Sequence, residues 1–538
     1  MIYDWSRKQA EINGNQIAVS LNDEKITYGQ LESESNKLAV LLIKQKLAPG
    51  DRVGLFLEKT PKTIIAMLGI SKAGGVYVPL DPHSPPERVV KIIRSSELSL
   101  IFVDHHTTHL FQHIIHSDWD TGSIPWIWWS EKSMMYGDDF PPKFVYKDID
   151  SQRNESCQVV RNSARAAHIL FTSGSTGQPK GVVITHKNIE TFIHWAVPYF
   201  NMKSGEHTSC HSPLHFDLST FDIYGAFASG SHLHLVPADI NIHPKKLSAF
   251  ILENKLTQWF SVPSALSYLA KFKVIPEGGY PHLKRLIWCG EVFPLPGLQY
   301  WMKNLPAVQF TNLYGPTEAT IASSYYTVKN LPDDLTLIPI GEPCSDEKLI
   351  ILDEKLQPKA TGEVGDLYIE GSGLSPGYWK DIAKTKAAFS WRINEEGKRE
   401  RIYKTGDLAS LNSDGLIYFH GRSDYQIKSR GYRIELGEIE TALGQNEMLR
   451  EYAVVPVHLN GFDGTAIGCA YVGSEIKNGA LAPVLKQNLK DIIPSYMMPQ
   501  VWKEFDKLPR NGNGKIDRKR LSDFFCESQN GNELSNKV

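Results

Sequence analysis

The sequence has few cysteines, and they lie far apart. Its 538 residues include six, and no two of them form a CxxC pair: Cys157, Cys210, Cys289, Cys344, Cys469 and Cys526. This scatter argues against a disulfide framework and against a cysteine-based zinc site, and it indicates reduced thiols in a cytoplasmic protein.

An excess of positive charge is missing as well. The chain has 58 Lys and Arg against 60 Asp and Glu, which gives a net charge of -2. Proteins that bind nucleic acid normally carry a basic excess. The charge balance therefore argues against a nucleic-acid partner.

Long hydrophobic runs are absent too. The apolar stretch TIIAMLGISKAGGVYVPL, at 63–80, is interrupted by Ser71, Lys72 and two glycines, so it is too broken to cross a membrane. The polar start MIYDWSRKQAEINGN lacks the apolar core of a signal peptide. We therefore expect a cytoplasmic enzyme that acts on small molecules and has no membrane partner.

What is present is a regular alternation of apolar runs and amphipathic stretches, which predicts an α/β fold with mixed sheets. AAHILFTSGSTG (166–177) is typical of a buried strand followed by a polar loop, and HKNIETFIHWAVPYF (186–200) has apolar residues at helical spacing. KRLIWCGE (284–291) and VQFTNLYGPTE (308–318) repeat the strand-then-turn pattern. Because α/β sheets bind ligands at the carboxyl ends of their strands, these turns are candidate site segments.

The length predicts at least two domains. Near Gly421 the sequence becomes dense in charge, in GRSDYQIKSRGYRIELGEIETAL. We place the boundary at Asp424, with a large N-terminal domain at 1–423 and a small α/β domain at 424–525. Residues 526–538, which are rich in polar side chains, are predicted to be a disordered tail.

The loop FTSGSTGQPKG, at 171–181, has the composition of a phosphate-binding loop. Glycines let backbone N–H groups approach an anion, hydroxyl groups add donors, and one lysine adds charge. A Walker loop is excluded, since Lys180 follows Pro179 and precedes Gly181. In isolation a flexible surface loop remains the alternative. The candidate phosphate-binding residues are Thr172, Ser173, Gly174, Ser175, Thr176, Gly177 and Lys180.

Other segments, read together with this loop, resemble the adenylate-forming superfamily over nearly the whole chain. Within it the chain is most similar to stand-alone amino acid adenylation enzymes of nonribosomal peptide synthesis, and among those to the proline-activating ones. The matching segments, in the family's order, are ITYGQL (26–31), KAGGVYVPLDP (72–82), HFDLSTFD (215–222), NLYGPTEAT (312–320), GDLYIEGSGLSPGYW (365–379), YKTGDL (403–408), GRSDYQIKSRGYRIELGEIE (421–440), PSYMMP (494–499) and NGNGKIDRK (511–519).

The resemblance implies a reaction in two halves that requires ATP and Mg²⁺. A carboxylate attacks the α-phosphorus of ATP and releases pyrophosphate, and a thiol then displaces AMP. By the resemblance, Lys515 lies between the substrate carboxylate and the α-phosphate, Glu318 is the metal ligand, and Thr317 contacts the α-phosphate. His215 lies near the phosphates, with a purely structural histidine as the alternative.

The resemblance also implies an adenosine site and a hinge. Tyr314 is expected to stack on the adenine and Asp407 to accept the ribose hydroxyls. Asp424 is expected to be the pivot between two poses, one with Lys515 inserted and one with the KSRGYR loop (428–433) brought inward; a turn-capping aspartate is the alternative. The nucleotide-binding residues are completed by Gly290, Glu291, Asn312, Gly315, Phe419 and Arg422.

For the substrate, Asp217 is expected to hold an α-ammonium group. The pocket carried over from the family is otherwise apolar, so a small apolar amino acid is expected. Two phenylalanines that could pack on a pyrrolidine ring favour L-proline; a D-alanine–carrier protein ligase is the alternative, and an acyl-CoA ligase or a non-catalytic relative is less favoured. The pocket positions are Asp217, Leu218, Phe221, Phe260, Ile287, Cys289, Leu313, Ile321 and Ala322.

The expected partner is a separate phosphopantetheinylated carrier protein. The sequence contains no GGxS element after KIDRKRL that would accept a phosphopantetheine arm, and no HHxxxDG condensation motif. The aminoacyl group is therefore expected to leave on another protein.

Overall fold

The structure, a computed structural model, describes residues 1–116, 124–132, 141–155, 161–174, 177–330, 337–394, 396–459, 464–473, 481–511 and 515–535. The predicted strands and helix around the glycine-rich loop are all found. The α-helices are α1 Asp4–Asn13, α2 Tyr28–Lys44, α3 Pro61–Lys72, α4 Pro86–Ser96, α5 Thr108–His116, α6 His186–Tyr199, α7 Leu218–Ser229, α8 Pro244–Glu253, α9 Pro263–Lys271, α10 Leu295–Asn304, α11 Ile382–Ala388, α12 Leu436–Leu443, α13 Leu481–Lys490 and α14 Arg518–Ser535.

The strands lie in five sheets. They are β1 Ile17–Leu21, β2 Glu24–Thr27, β3 Arg52–Phe56, β4 Val76–Pro79, β5 Leu100–Val103, β6 Trp126–Trp128, β7 Phe144–Val145, β8 Ala166–Thr172, β9 Lys180–Thr185, β10 His207–Cys210, β11 His232–Leu235, β12 Gln258–Ser261, β13 Arg285–Cys289, β14 Gln309–Tyr314, β15 Ser324–Val328, β16 Glu342–Pro343, β17 Lys348–Leu352, β18 Gly365–Glu370, β19 Gly377–Tyr378, β20 Phe389–Ile393, β21 Arg399–Leu411, β22 Ile417–Arg422, β23 Gln426–Ser429, β24 Tyr432–Glu435, β25 Leu449–His458, β26 Thr465–Gly473 and β27 Val501–Glu504.

Two mixed sheets form most of the large domain, as the sequence predicts. One has the order β16-β15-β14-β13-β12-β10-β11-β1-β2, and its central strands, from β14 to β1, run parallel. The other has the order β19-β9-β8-β4-β3-β5-β6-β7, with an antiparallel end at β8, β9 and β19. Since the parallel strands of a sheet point the same way, their carboxyl ends place the loops that follow them along one edge.

Three further sheets follow along the chain. Strands β17, β18, β21, β20 and β22 form an antiparallel sheet, β23 and β24 a hairpin, and β25–β27 a three-stranded sheet. Two apolar clusters consist of residues from Ile427 onward, and they pack α12–α14 against β25–β27. The C-terminal residues thus have apolar cores of their own.

Local signals explain how the site segments begin and end. Thr185 caps α6: its hydroxyl accepts from the Asn188 backbone, and the Asn188 side chain accepts from the Thr185 backbone. The buried helix α7 ends at Gly230, whose φ of 76° is left-handed and suits glycine. The turn after β13 likewise needs Gly290, with φ of 97°.

The C-terminus differs from the prediction of a tail that is disordered from residue 526. Helix α14 continues to Ser535, and residues 536–538 lie outside the described part. The helix is anchored by Leu521 and Phe525, which are buried against β25 and β26. Within the described ranges, no helix is both long enough and apolar enough to cross a membrane.

Candidate active site

A cavity of about 90 Å³ lies where four segments of the large domain meet. These are the loop after β8, the turns after β13 and β14, and the start of α7, all at carboxyl ends of strands or in the loops that follow them. The hairpin β23–β24 covers it. The lining contains Thr172, Ser173, His215, Asp217, Leu218, Cys289, Gly290, Gly315, Thr317, Asp407, Arg422, Lys428, Gly431, Tyr432 and Arg433, among others.

Asp217 and Thr317, which are 100 residues apart, meet in this cavity. The Thr317 hydroxyl donates to Asp217 Oδ2 at 2.7 Å. Burial raises the pKa of Asp217 to about 6, against the opposing effects of Thr317 and the Lys428 ammonium. A buried carboxylate with this pKa is ionised at neutral pH and favours a cationic partner.

Glu318, the predicted magnesium ligand, is fully buried next to Thr317. Arg433 donates to its Oε2 at 2.8 Å and the Tyr378 hydroxyl donates to its Oε1 at 2.7 Å. Burial acts to raise the pKa of Glu318, but Arg433 and Lys180 outweigh it and lower the pKa to about 2. The carboxylate is therefore ionised, and an ionised carboxylate suits a hard cation.

The glycine-rich loop connects β8 and β9 and contacts the inserted hairpin. The Ser173 hydroxyl donates to the Arg433 carbonyl, and Lys180 Nζ lies 3.3 Å from Glu435 Oε1. Gly174 accepts from the Gly177 backbone at 2.9 Å, which closes the loop. The Thr172 hydroxyl is buried and has no hydrogen-bond partner in the described part of the chain. Ser175 and Thr176 lie outside the described residues.

A second, larger cavity of about 590 Å³ adjoins the first. Between the two cavities, the hydroxyl of Tyr314, which lines the larger one, donates to Oδ2 of Asp407, which lines the smaller one. Arg422, which lines both, donates to Asp407 Oδ1 at 2.5 Å. An aromatic ring beside a buried carboxylate offers a stacking face and a hydrogen-bond acceptor, as adenosine requires. The predicted nucleotide-binding residues that line this cavity are Gly290, Glu291, Asn312, Tyr314, Phe419 and Arg422, whereas Gly315 and Asp407 line the smaller one.

Asp424, the predicted hinge, is tied to this nucleotide-side cavity through Arg422. Its two carboxylate oxygens accept from Arg422 Nε and Nη2, both at 2.7 Å, and Oδ1 also accepts from the Gln426 backbone at 3.1 Å. One guanidinium group therefore joins Asp407 to Asp424. The bond from the Gln426 backbone is the turn-capping contact that the alternative interpretation of Asp424 predicts.

His215 is a half-buried histidine at the wall of the smaller cavity. Burial of its ring lowers its pKa, with Asp81 acting in the opposite direction, and this favours the neutral ring. Its Nε2 is buried without a partner among the described residues, and its ring centroid lies 5.0 Å from that of Phe216. A neutral, unpartnered ring nitrogen facing a cavity is available to a ligand.

Lys515 does not lie with Asp217, Thr317 and Glu318. Its side chain is exposed, and its backbone N–H donates to Asn511 Oδ1 at 3.1 Å. Lys428 and Arg433 line the cavity instead. This arrangement corresponds to the second of the two poses implied by the resemblance, with the KSRGYR loop inward and Lys515 withdrawn.

The nine predicted substrate positions are buried around Asp217. Asp217, Leu218 and Cys289 line the smaller cavity, and Leu313 lines the larger one. Phe221 and Phe260 are completely buried and pack edge to face at 5.5 Å. The eight apolar positions all belong to one core cluster: Leu218, Phe221, Phe260, Ile287, Cys289, Leu313, Ile321 and Ala322.

Sequence reasoning missed several residues of the site. Arg433 and Tyr378 bind Glu318, and Arg88 forms a nearly buried ion pair with Glu438 that joins the two domains. Arg433 and Tyr378 lie in the recognised segments KSRGYR and SPGYW. Their places in those segments were the signal by which they could have been found. For Arg88 the sequence contains no signal, because its partner is 350 residues away.

Known proteins match this chain in sequence and in fold. A family model described as AMP-binding enzyme matches residues 6–379. The chain belongs to the AMP-binding enzyme family. This AMP-binding enzyme is 33% identical over 509 residues to D-alanine–D-alanyl carrier protein ligase of Staphylococcus epidermidis, covering 94% of this chain and 96% of the relative. These matches establish the family and its ligase class.

Two other likenesses differ in extent. The AMP-binding enzyme is 32% identical over 516 residues to bacitracin synthase 3 of Bacillus licheniformis, a match that covers 96% of this chain but 8% of that synthase. The crystal structure of the Vibrio cholerae adenylation domain AlmE, in complex with glycyl-adenosine-5'-phosphate, superposes with a TM-score of 0.83. At 22% identity, with 98% of each chain covered, this likeness establishes the shared fold.

Proposed function

We propose that this AMP-binding enzyme activates D-alanine as an aminoacyl-adenylate and transfers it to the phosphopantetheine thiol of a separate carrier protein. The observation that supports this most is the match to two relatives, 33% identical and matched over 96% of their length, that are named D-alanine–D-alanyl carrier protein ligase.

The packing beside Asp217 supports a short side chain. Next to Asp217 the smaller cavity is bounded by Leu218 and Cys289, and Phe221 and Phe260 are completely buried and pack edge to face. In our proposal the substrate side chain points toward these two rings, where a pyrrolidine ring would require them to separate, and opening a close-packed core is costly. L-proline, the amino acid favoured by the sequence, therefore gives way to the alternative. A methyl group requires no such displacement.

The charges of the site fit an amino acid better than a plain carboxylic acid. Asp217 is a buried carboxylate that accepts a hydrogen bond from the Thr317 hydroxyl. The α-ammonium group of an amino acid would be its cationic partner. An acyl-CoA ligase substrate has no ammonium group and would leave this carboxylate buried and unpaired. Cys289 adds no charge to the site, because burial raises the pKa of its thiol to about 12.

ATP would lie across the two cavities. Tyr314, Asp407 and Arg422 surround the space for the nucleoside, and Thr172, Thr317 and the glycine-rich loop offer donors to the phosphates. Mg²⁺ held by Glu318 would neutralise phosphate charge during adenylation. In our proposal Lys515 approaches the α-phosphate in the adenylation pose, and Arg433 replaces it near Glu318 in the transfer pose.

Amino-acid-dependent exchange of pyrophosphate into ATP tests the activation step. The panel is D-alanine, L-alanine, glycine, L-proline and L-valine, and we expect the highest kcat/KM for D-alanine. Asp217→Asn should reduce exchange by roughly 10²-fold, because it removes a charge-assisted contact. Asp239→Asn, a change at an exposed aspartate, is the matched control. A flat panel would reject the activity, and an L-proline maximum would reject the amino acid alone.

A second assay tests the acceptor. Purified carrier protein is supplied with or without its phosphopantetheine arm, alongside free coenzyme A. We expect D-alanine to become covalently attached to the holo carrier protein and to no other acceptor. Transfer to free coenzyme A at an equal rate would favour the acyl-CoA ligase alternative.

A further inference from the structure

Three histidines lie together at the opposite ends of the strands from the candidate active site. His207 opens β10 and His232 opens β11, and the two are register partners in the parallel pair. His234 follows two residues after His232 and therefore projects from the same face of the sheet. The fold brings these side chains together from sequence positions 25 residues apart.

The ring nitrogens of this cluster are close enough to share one ligand. His207 Nδ1 lies 2.8 Å from His234 Nε2, and one nitrogen from each of the three rings lies within 4.8 Å of the others. The His232 and His234 ring centroids are 3.8 Å apart. A nitrogen-to-nitrogen contact of this kind holds a single proton, which a metal ion can displace.

Ser20, in the neighbouring strand β1, supports the cluster from outside. Its hydroxyl oxygen lies 2.8 Å from His232 Nε2 and 3.4 Å from His234 Nδ1. A hydrogen bond from the outer nitrogen of His234 orients the inner nitrogen toward His207. Histidines that bind metals are commonly held by such an outer contact.

We propose that His207, His232 and His234 form a binding site for Zn²⁺ or a similar transition-metal dication, separate from the magnesium carboxylate Glu318. Three imidazole nitrogens with no carboxylate form a donor set that suits zinc and disfavours Mg²⁺. Tetrahedral bonds of about 2.05 Å place ligand nitrogens about 3.3 Å apart, so His207 and His234 need to separate by about half an ångström. Water completes the coordination.

Two lysines carry positive charge near the three rings. Lys25 acts on His232 and His234, and Lys255 acts on His207. The nearby lysine charges oppose a cation, so we expect an affinity below that of a site that also contains a carboxylate.

The site would serve stability rather than the reaction. His207 and His232 start adjacent strands in the central sheet, and Ser20 connects the cluster to β1. A bound ion would join these strands at the end remote from Asp217. Because it binds the folded state, the ion should raise the unfolding temperature as its concentration increases.

Co²⁺ and Zn²⁺ titration of the full-length, untagged protein tests the proposal. After treatment with a chelator, we expect one Co²⁺ per chain with the visible absorption of a tetrahedral centre, and displacement of Co²⁺ by Zn²⁺. His207→Asn and His232→Asn should each weaken Zn²⁺ binding at least about tenfold. His105→Asn is the matched control, since His105 lies beside His106, with ring centroids 3.9 Å apart, outside this cluster.

Two results would overturn the site. One is a wild-type protein that takes up neither ion in competition with a weak chelator; the other is a His207→Asn variant that binds as the wild type does. X-ray absorption of the zinc-loaded wild type counts imidazole ligands without any variant, and fewer than three would also contradict the proposal. Circular dichroism shows whether each variant is folded.

Discussion

The small domain carries two basic segments, and the structure puts them in opposite surroundings. In the hairpin β23–β24, Arg433 donates to the buried Glu318 and Lys428 lies 5.4 Å from the Tyr314 ring centroid. Near the C-terminus, Lys515 is exposed and its backbone bonds with Asn511. We infer that the orientation of the small domain decides which of the two basic segments faces the carboxylates.

The largest effect is expected from Lys515→Ala. We expect pyrophosphate exchange to fall by roughly 10²–10³-fold, because a positioned cation that stabilises developing charge is lost. Loading of the carrier protein from supplied aminoacyl-adenylate should be nearly unchanged. Lys507→Ala, at another exposed lysine of the domain, is the control. Equal losses in both assays would contradict the division of roles.

Arg433→Ala should have the reverse pattern. Glu318 would keep its place but lose its direct ion pair in the inserted pose, and an unpaired buried charge is strongly unfavourable. We expect transfer from supplied adenylate to fall at least about tenfold while exchange is retained. Arg433→Lys, which keeps the charge, should recover part of the transfer rate. A variant with impaired exchange and normal transfer would refute the assignment.

Glu438→Gln tests the contact that holds the inserted pose. Arg88 and Glu438 pair across the two domains, and both side chains are nearly buried. In our proposal the domain turns between the two steps and this pair breaks, so its loss should lower transfer by about fivefold, equivalent to about 1 kcal/mol, without lowering exchange. Glu447→Gln, in an exposed loop, serves as the control. Unchanged transfer would show that the ion pair does not stabilise the pose.

The smallest effect is expected from pH. Burial raises the pKa of Asp217 to about 6, so its charge is present above that pH and is lost as the pH falls through it. Between pH 7.5 and 5.5 the ionised fraction drops by about fourfold. The KM for the amino acid should rise accordingly while the KM for ATP stays constant. A constant amino acid KM would contradict an ammonium contact at Asp217.

The elements around the site were predictable because their signals are local. The apolar run AAHILFT becomes β8, and Thr185 with Asn188 starts α6 through a capping box. The turn after β14 brings Thr317 to Asp217 because both lie at the same edge of the sheet. Strand patterns and turn residues suffice for this much.

The burial depth of individual side chains and the orientation of the small domain could not be predicted from such local signals. Leu218 and Phe221 lie one turn apart in α7 and both belong to the core, but only Leu218 lines the smaller cavity. Arg433 meets Glu318 through a domain orientation that no local pattern encodes. The histidine cluster was partly predictable. The HLH run at 232–234 can be read in the sequence, but His207 joins it only through the register of β10 and β11.

Arg422 connects the nucleotide pocket to the proposed pivot between the domains. The same guanidinium group spans Asp407, in the wall of the cavity, and Asp424, at the proposed pivot. A ribose whose hydroxyl groups bind Asp407 would compete for the oxygens that this arginine now contacts. The filling and emptying of the nucleotide pocket would then reach the joint between the domains through one side chain, with no longer relay required.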